Sequence, residues 1–365
     1  MALHSLNRKK RTPMDRYIGL DVHMHSSTLA VKGPSGKRLQ SQVVETNGST
    51  LIAALRGIPR PRHLCFEEGT QSAWLYEILK PEVDELVVAI AEKRQNDSKS
   101  DERDAWDLAE KLRVNGLKRR VFKGQGAFGP LRDAVRAHRM VTQDLVRVKN
   151  RLMAVYRSRG LHEMGDEAYS PKERERWLRQ LPPSHRYLAG MLGQECDLLQ
   201  VLKQEAEDRM LAEAKKHPIT ATLATAPAIG PIRAAQIVAT VMTPHRFRTK
   251  RQFWNYCGLA VVTSVTAQWQ RGTQGNFVRA KEAMTRGLNR NRNGLLKHVF
   301  KGAAHHVACC MPNHPLHHDY QRMLTERVKP NLAQLTLARR IAAAVLSMWR
   351  HEEVYDQAKH RSKTA

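Results

Sequence analysis

Arg16-Tyr17-Ile18-Gly19-Leu20-Asp21-Val22 is a short β-rich run that carries a carboxylate one residue before its end. Aromatic and branched residues at this density favour a strand, and Gly19 stands two positions before the aspartate. Outward from it, β-rich runs over residues 28–31 and 42–44 predict two more strands, with a turn at Gly33-Pro34-Ser35-Gly36. A helix is expected over 49–55, a strand over 63–67, a helix over 72–79, a strand over 85–90 and a helix over 100–112. The order β-β-β-α-β-α-β-α suits a mixed sheet, with antiparallel strands first and crossover helices later.

That element order is the one of an RNase H-like α/β fold, and the acidic residues are placed to test the analogy. Asp21 lies on the first strand, Glu67 ends the fourth, and Asp101 and Asp104 open the last helix at i, i+3, on one helical face. If the first and fourth strands are neighbours and the helix crosses them, four carboxylates converge. Such a group is unfavourable without a cation, and hard oxygen donors suit Mg²⁺ or Mn²⁺. The plainer reading is that Asp101 and Asp104 only complement a helix dipole, and that Glu67 is interchangeable with Glu68.

The rest of the chain reads differently. Leu145, Val148, Leu152 and Val155, then Leu188, Leu192, Leu199 and Leu202, recur at helical spacing in charged surroundings. Two long amphipathic helices are expected there, as a coiled coil or as part of a bundle. The run Ala226-Pro227-Ala228-Ile229-Gly230-Pro231 before a helix over 233–242 is similar to a helix-hairpin-helix, with Ala228 in place of its first glycine. Arg233 and the basic stretch holding Arg286, Arg290, Arg292 and Lys297, interleaved with Asn289, Asn291 and Asn293, are candidate nucleic-acid contacts. A closing amphipathic helix is marked by Leu337, Ile341, Val345 and Met348.

Composition narrows the partners. The 365 residues hold 61 Lys and Arg against 35 Asp and Glu, a formal net charge of +26, which favours a polyanion. Five cysteines without CxxC spacing fit reduced thiols in the cytoplasm, and the histidines around Cys309 and Cys310 have no firm zinc spacing. No apolar run is long enough to cross a bilayer, so no membrane partner is expected.

Three blocks, Tyr17 to His23, Cys65-Phe66-Glu67 and Lys99 to Ala105, resemble the acidic blocks of the DEDD (RuvC-like) insertion-sequence transposases, the bridge-RNA-guided recombinases. Ala226 to Pro231 followed by Tyr256-Cys257-Gly258-Leu259 resembles their C-terminal transposase domain. The resemblance implies Mg²⁺ on Asp21, Glu67, Asp101 and Asp104, and a C-terminal serine that attacks a DNA phosphate. It also implies a structured guide RNA and homo-oligomers, as dimers that join into tetramers. In the serine region this chain reads Val261-Val262-Thr263-Ser264-Val265-Thr266, which leaves Ser264 and Thr266 as alternative nucleophiles.

The expected organisation is a disordered basic arm over 1–15, an RNase H-like catalytic domain over 16–125 and a helical coiled-coil linker over 126–217. A mainly α C-terminal transposase domain over 218–310 and a helical extension over 311–365 complete it. Two other functions share the charge: a metal-dependent nuclease that resolves branched DNA, and a non-catalytic nucleic-acid binder.

Overall fold

The computed structural model describes residues 14–90, 100–117, 120–121, 126–162, 165–264, 269–271, 276–279 and 284–359. The expected basic arm over 1–15 falls outside them except for Met14 and Asp15. The chain divides into two compact units, Met1–Gly126 and Ala127–Ala365.

The first unit is a mixed α/β sheet with helices, consistent with an RNase H-like domain. Strands β1 (Arg16–Val22), β2 (Ser26–Lys32) and β3 (Arg38–Glu45) are followed by helix α1 (Gly48–Arg56), β4 (Arg62–Glu67) and α2 (Ser72–Leu79). Then come β5 (Glu85–Ala89), α3 (Asp101–Arg113) and the two-residue β6 (Arg120–Val121). The sheet order is β3-β2-β1-β4-β5-β6. β1 pairs antiparallel with β2 and parallel with β4, so the first and fourth strands are neighbours. β4–β5 is parallel and β5–β6 antiparallel.

Alternation along β1 and β4 separates the two faces. Ile18, Leu20, Leu64 and Phe66 join Leu51, Leu55, Leu75 and Leu79 of α1 and α2 in one core cluster. Cys65 packs with Val87 and with Leu108 and Leu112 of α3 on the other face. Gly19 sets the distance on that side. A Cβ built on it would lie 1.9 Å from the Ala105 carbonyl oxygen and 2.6 Å from the Ala109 nitrogen, so only glycine lets α3 lie this close to β1. Lys32 Nζ to Glu110 Oε2, at 2.8 Å, ties β2 to the same helix. The Glu110 carboxyl is held down to about 2 by hydrogen bonds from Arg113 and Lys32.

The second unit is mainly helical. Helices α4 (Gly129–Arg157), α5 (Arg174–Leu178) and α6 (Pro183–Lys215) come first. α4 and α6 run antiparallel, since His138 faces Glu207 at one level and Lys149 lies by Cys196 at another. Next are α7 (Pro218–Ala224), α8 (Gly230–Val241) and α9 (Lys250–Tyr256), then four short strands, β7 (Val261–Ser264), β8 (Trp269–Arg271), β9 (Phe277–Arg279) and β10 (Met284–Leu288). Helices α10 (Gly294–Cys310), α11 (Pro315–Thr325) and α12 (Pro330–His351) close the unit. One core cluster joins Leu131 and Val135 of α4 and Met210 and Ala214 of α6 to α8, α10 and α12, including Leu337, Ile341, Val345 and Met348. A second cluster lies further along the hairpin, from Leu145 to Tyr156 on α4, with Ala189 and Cys196 of α6. Among the described residues no helix is long and apolar enough to cross a membrane.

The helix α8 begins three residues earlier than the sequence pattern suggests, because Pro231 in its first turn needs no hydrogen-bond donor there. The turn before it has Ala228 at φ +56° and Gly230 at φ +57°, both left-handed. Arg233 Nη1 donates to the Ala228 carbonyl at 2.5 Å and holds this turn.

Candidate active site and nucleic-acid interface

Asp21 is the next-to-last residue of β1, and the chain turns immediately after it. The His23 N–H donates to the Ser26 carbonyl at 3.0 Å, closing the β1–β2 connection. This turn brings the imidazole back over the strand end, where Nε2 lies 3.2 Å from Asp21 Oδ2 and 3.2 Å from Asp101 Oδ1. Asp101 is the first residue of α3, placed there by the Gly19 approach. Asp21, His23 and Asp101 form the one group of possible metal-binding side chains among the described residues.

The charge balance is tight. Burial raises the Asp21 carboxyl above its ordinary value; the neighbouring His23 opposes this, while Asp104 and Asp101 add to it. A half-buried carboxylate pressed by two others is a site that a cation relieves. The carboxylate oxygens of Asp21 and Asp101 are hard donors of the kind that suits a divalent cation such as Mg²⁺ or Mn²⁺, with the His23 imidazole beside them.

Asp104 stands one helical turn from Asp101, half-buried, and acts on Asp21 through its charge. Glu67 is the residue after Phe66, whose register partner is Leu20, so it sits level with Asp21 on the neighbouring strand and is exposed. Neither Glu67 nor Asp104 belongs to the close Asp21-His23-Asp101 group. The sequence reading gave His23 no role. Its signal was present, a histidine two residues after the strand aspartate, but its position depends on the turn.

In the second unit, Ser264 ends β7, with Met284 of β10 as its register partner. Thr266 lies outside the described residues. Arg290 and Arg292 are exposed on the turn that leads into α10. Gly258, at φ +68°, leaves room for the Arg292 side chain, whose Cδ lies 2.0 Å from where a Cβ would stand. Lys297 is lowered by partial burial and then by Arg292 and Lys301, a crowd of like charges that favours an anion. Nothing is described of the Arg286 side chain.

Arg233 and the asparagines of this region also have structural work. Arg233 is half-buried, its guanidinium lowered by desolvation and bonded to Ala228. The asparagines build the turn: Asn289 Nδ2 donates to Asn255 Oδ1 at 2.8 Å and to the Asn291 carbonyl at 2.7 Å. Asn293 Oδ1 accepts from the Leu296 N–H at 3.0 Å and caps α10. They are short polar side chains spent on local backbone groups.

Residues 18–158 match the profile of an IS110-type DEDD domain described as "Transposase". Residues 220–288 match one described as "Transposase IS116/IS110/IS902 family". Together the two matches cover more than half of the chain, in the order expected from the acidic blocks and the Ala226–Pro231 run. The chain belongs to the IS110-type DEDD transposases. It is also similar to a curated protein of Sinorhizobium fredii named "Putative transposase y4pF/y4sB", 25% identical over 186 residues, which are 51% of this chain and 45% of that one. This chain thus aligns with about half the length of that relative.

Proposed function

We propose that this DEDD transposase cleaves and transfers DNA strands of an insertion sequence. The observation that carries the reading is the pair Asp21 and Asp101, each 3.2 Å from one imidazole nitrogen, at the meeting of β1 and α3. Asp21, Asp101, Asp104 and Glu67 are the residues that would hold Mg²⁺ or Mn²⁺, with His23 beside them. Such a cation, when bound, polarises the phosphoryl group and steadies the charge that develops on it. The protein's own part is to keep Asp21 half-buried among like charges, where a bound cation favours its ionised form, and to fix α3 against the sheet through Gly19.

The hydroxyl of Ser264 or Thr266 is the proposed nucleophile. Its oxygen bonds to the phosphorus as the bond to the deoxyribose oxygen breaks; the hydroxyl proton passes to water and the departing oxygen takes a proton from water, leaving a phosphodiester to the protein and a free deoxyribose hydroxyl. Arg290, Arg292 and Lys297, with Arg286 and Arg233 as further basic residues of the region, support binding of DNA and of a structured guide RNA. The exposed apolar residues Tyr187, Met191, Leu198 and Val201 on α6 support a homo-oligomer. In domain terms, 16–125 is the RNase H-like catalytic part, 126–217 the helical arm with coiled-coil pairing, 218–310 the transposase part with its helix-hairpin-helix-like turn, and 311–365 the closing extension.

The test is recombination between an element-junction plasmid and a target plasmid, in cells expressing the protein with its native flanking DNA. Wild type is set beside Asp21→Asn, Ser264→Ala and Thr266→Ala. Loss in Asp21→Asn and in one hydroxyl variant supports a reaction that needs both the carboxylates and a hydroxyl, and names the nucleophile. Retained strand exchange in Asp21→Asn, Asp101→Asn would sink the reading, and loss only in the carboxylate variants would favour nuclease chemistry. Deleting the flanking non-coding DNA tests the RNA.

A further inference from the structure

The β8–β9 ribbon has no role in the chemistry above, yet its pattern is specific. The register pairs Trp269 with Arg279, Gln270 with Val278 and Arg271 with Phe277. Directly opposed residues of an antiparallel pair share a face, as do residues two apart on one strand. Trp269, Arg271 and Phe277 therefore stand on the same face, with the two aromatic rings as diagonal neighbours and a guanidinium beside them. Trp269 is 57% exposed and Phe277 69% exposed, and Arg271 is exposed too. Two large rings held out on a small ribbon are the informative kind of exposed surface.

We infer that this face binds unpaired bases of single-stranded DNA, the rings stacking on successive bases while Arg271 meets the backbone phosphate. The occupant follows from charge and shape. A chain of net charge +26 attracts a polyanion, and a guanidinium next to two exposed rings matches a phosphate next to two bases. A duplex keeps its bases stacked on one another and offers no face to such rings, so the ribbon selects opened DNA. Place along the chain gives the same answer. Trp269 follows Ser264 by five residues, a reach of at most about 18 Å fully extended. The rings thus lie within a few nucleotides of any phosphate that the Ser264 region attacks. This inference rests on the DNA-acting reading and adds to it where the strands are held apart.

The experiment measures binding of the full-length protein to fluorescent DNA by anisotropy at fixed salt. The probes are a fully paired duplex, the same duplex with a six-base unpaired bubble, and a single-stranded RNA of the bubble sequence. Wild type is compared with Trp269→Ala/Phe277→Ala and with Trp269→Phe. Tighter binding of wild type to the bubble is expected, with a loss of about tenfold or more in the double variant, less than threefold on the duplex, and near-complete recovery in Trp269→Phe. 5-Iododeoxyuridine in the bubble should crosslink to the peptide that contains Trp269 or Phe277. Equal losses on bubble and duplex, no loss at all, a changed oligomeric mass in the double variant, or preference for the RNA would each overturn the inference. Wild-type duplex binding is read separately, so DNA binding can stand even where the ribbon's role fails.

Discussion

Replacing Gly19 with alanine sets two effects of opposite sign against each other. Conformational entropy favours alanine in a strand, by about 0.4–1 kcal/mol. Sterics oppose it: the new Cβ would meet the Ala105 carbonyl oxygen at 1.9 Å and the Ala105 carbonyl carbon at 2.9 Å. These are backbone atoms that no rotamer change can move. An ordinary contact of about 3.4 Å requires α3 to retreat by roughly 1.5 Å. One methylene too many in a packed core costs about 1–3 kcal/mol where side chains yield, and the upper end applies where only backbone can. The net expectation is a loss of about 2 kcal/mol in the first unit. The retreat also carries Asp101 away from Asp21, so Mn²⁺ affinity should fall by at least tenfold. Urea unfolding followed by near-ultraviolet circular dichroism reads the first effect, and isothermal titration with Mn²⁺ reads the second. An unchanged unfolding midpoint would refute the packing argument whatever the metal does.

Three further outcomes are expected. Glu110, held down to about 2 by Arg113 and Lys32, contributes stability that is present above its ordinary value of 4.5 and lost as pH falls from there toward 2. Its side chain is 36% exposed, so screening limits the contribution to about 1 kcal/mol; in Glu110→Gln the acid limb of a stability-against-pH curve should flatten in that window. Asn293→Ala removes the cap of α10 and should cost about 1 kcal/mol, read as a fall in Tm of about 2–4 °C. Ala228→Gly relieves a left-handed alanine and should stabilise the second unit, by up to about 1 kcal/mol in chemical denaturation.

The first unit was largely legible. Its strands alternate between two buried faces, so Ile18 and Leu20, or Leu64 and Phe66, announce themselves as period-two pairs. Asp21 and Asp101 stood out because nothing apolar explains a carboxylate at those positions. His23 did not, because its place between them depends on a turn that no spacing encodes. The strands β7 to β10 also went unread: they form two-stranded ribbons with little buried face, so they show no alternation between apolar and polar residues. The asparagines of the 289–293 turn are candidate contacts in the sequence and turn-builders in the structure, because composition alone cannot separate a polar side chain facing a ligand from one closing its own backbone. Arg233 shows the same limit: the carbonyl five residues back that it bonds is not visible in the sequence.

The long hairpin of α4 and α6 is rooted at one end, where Leu131, Val135, Met210 and Ala214 join the C-terminal core. Its far cluster, around Tyr156 and Ala189, is a separate body of side chains. Helix α4 has 29 residues, a length of about 44 Å. It is therefore a lever: a rotation of about 10° at the root sweeps the tip through roughly 8 Å, by the same rise per residue. Small repacking among the helices that hold the root, of the size that a core absorbs without unfolding, becomes at the tip a displacement larger than a nucleotide step.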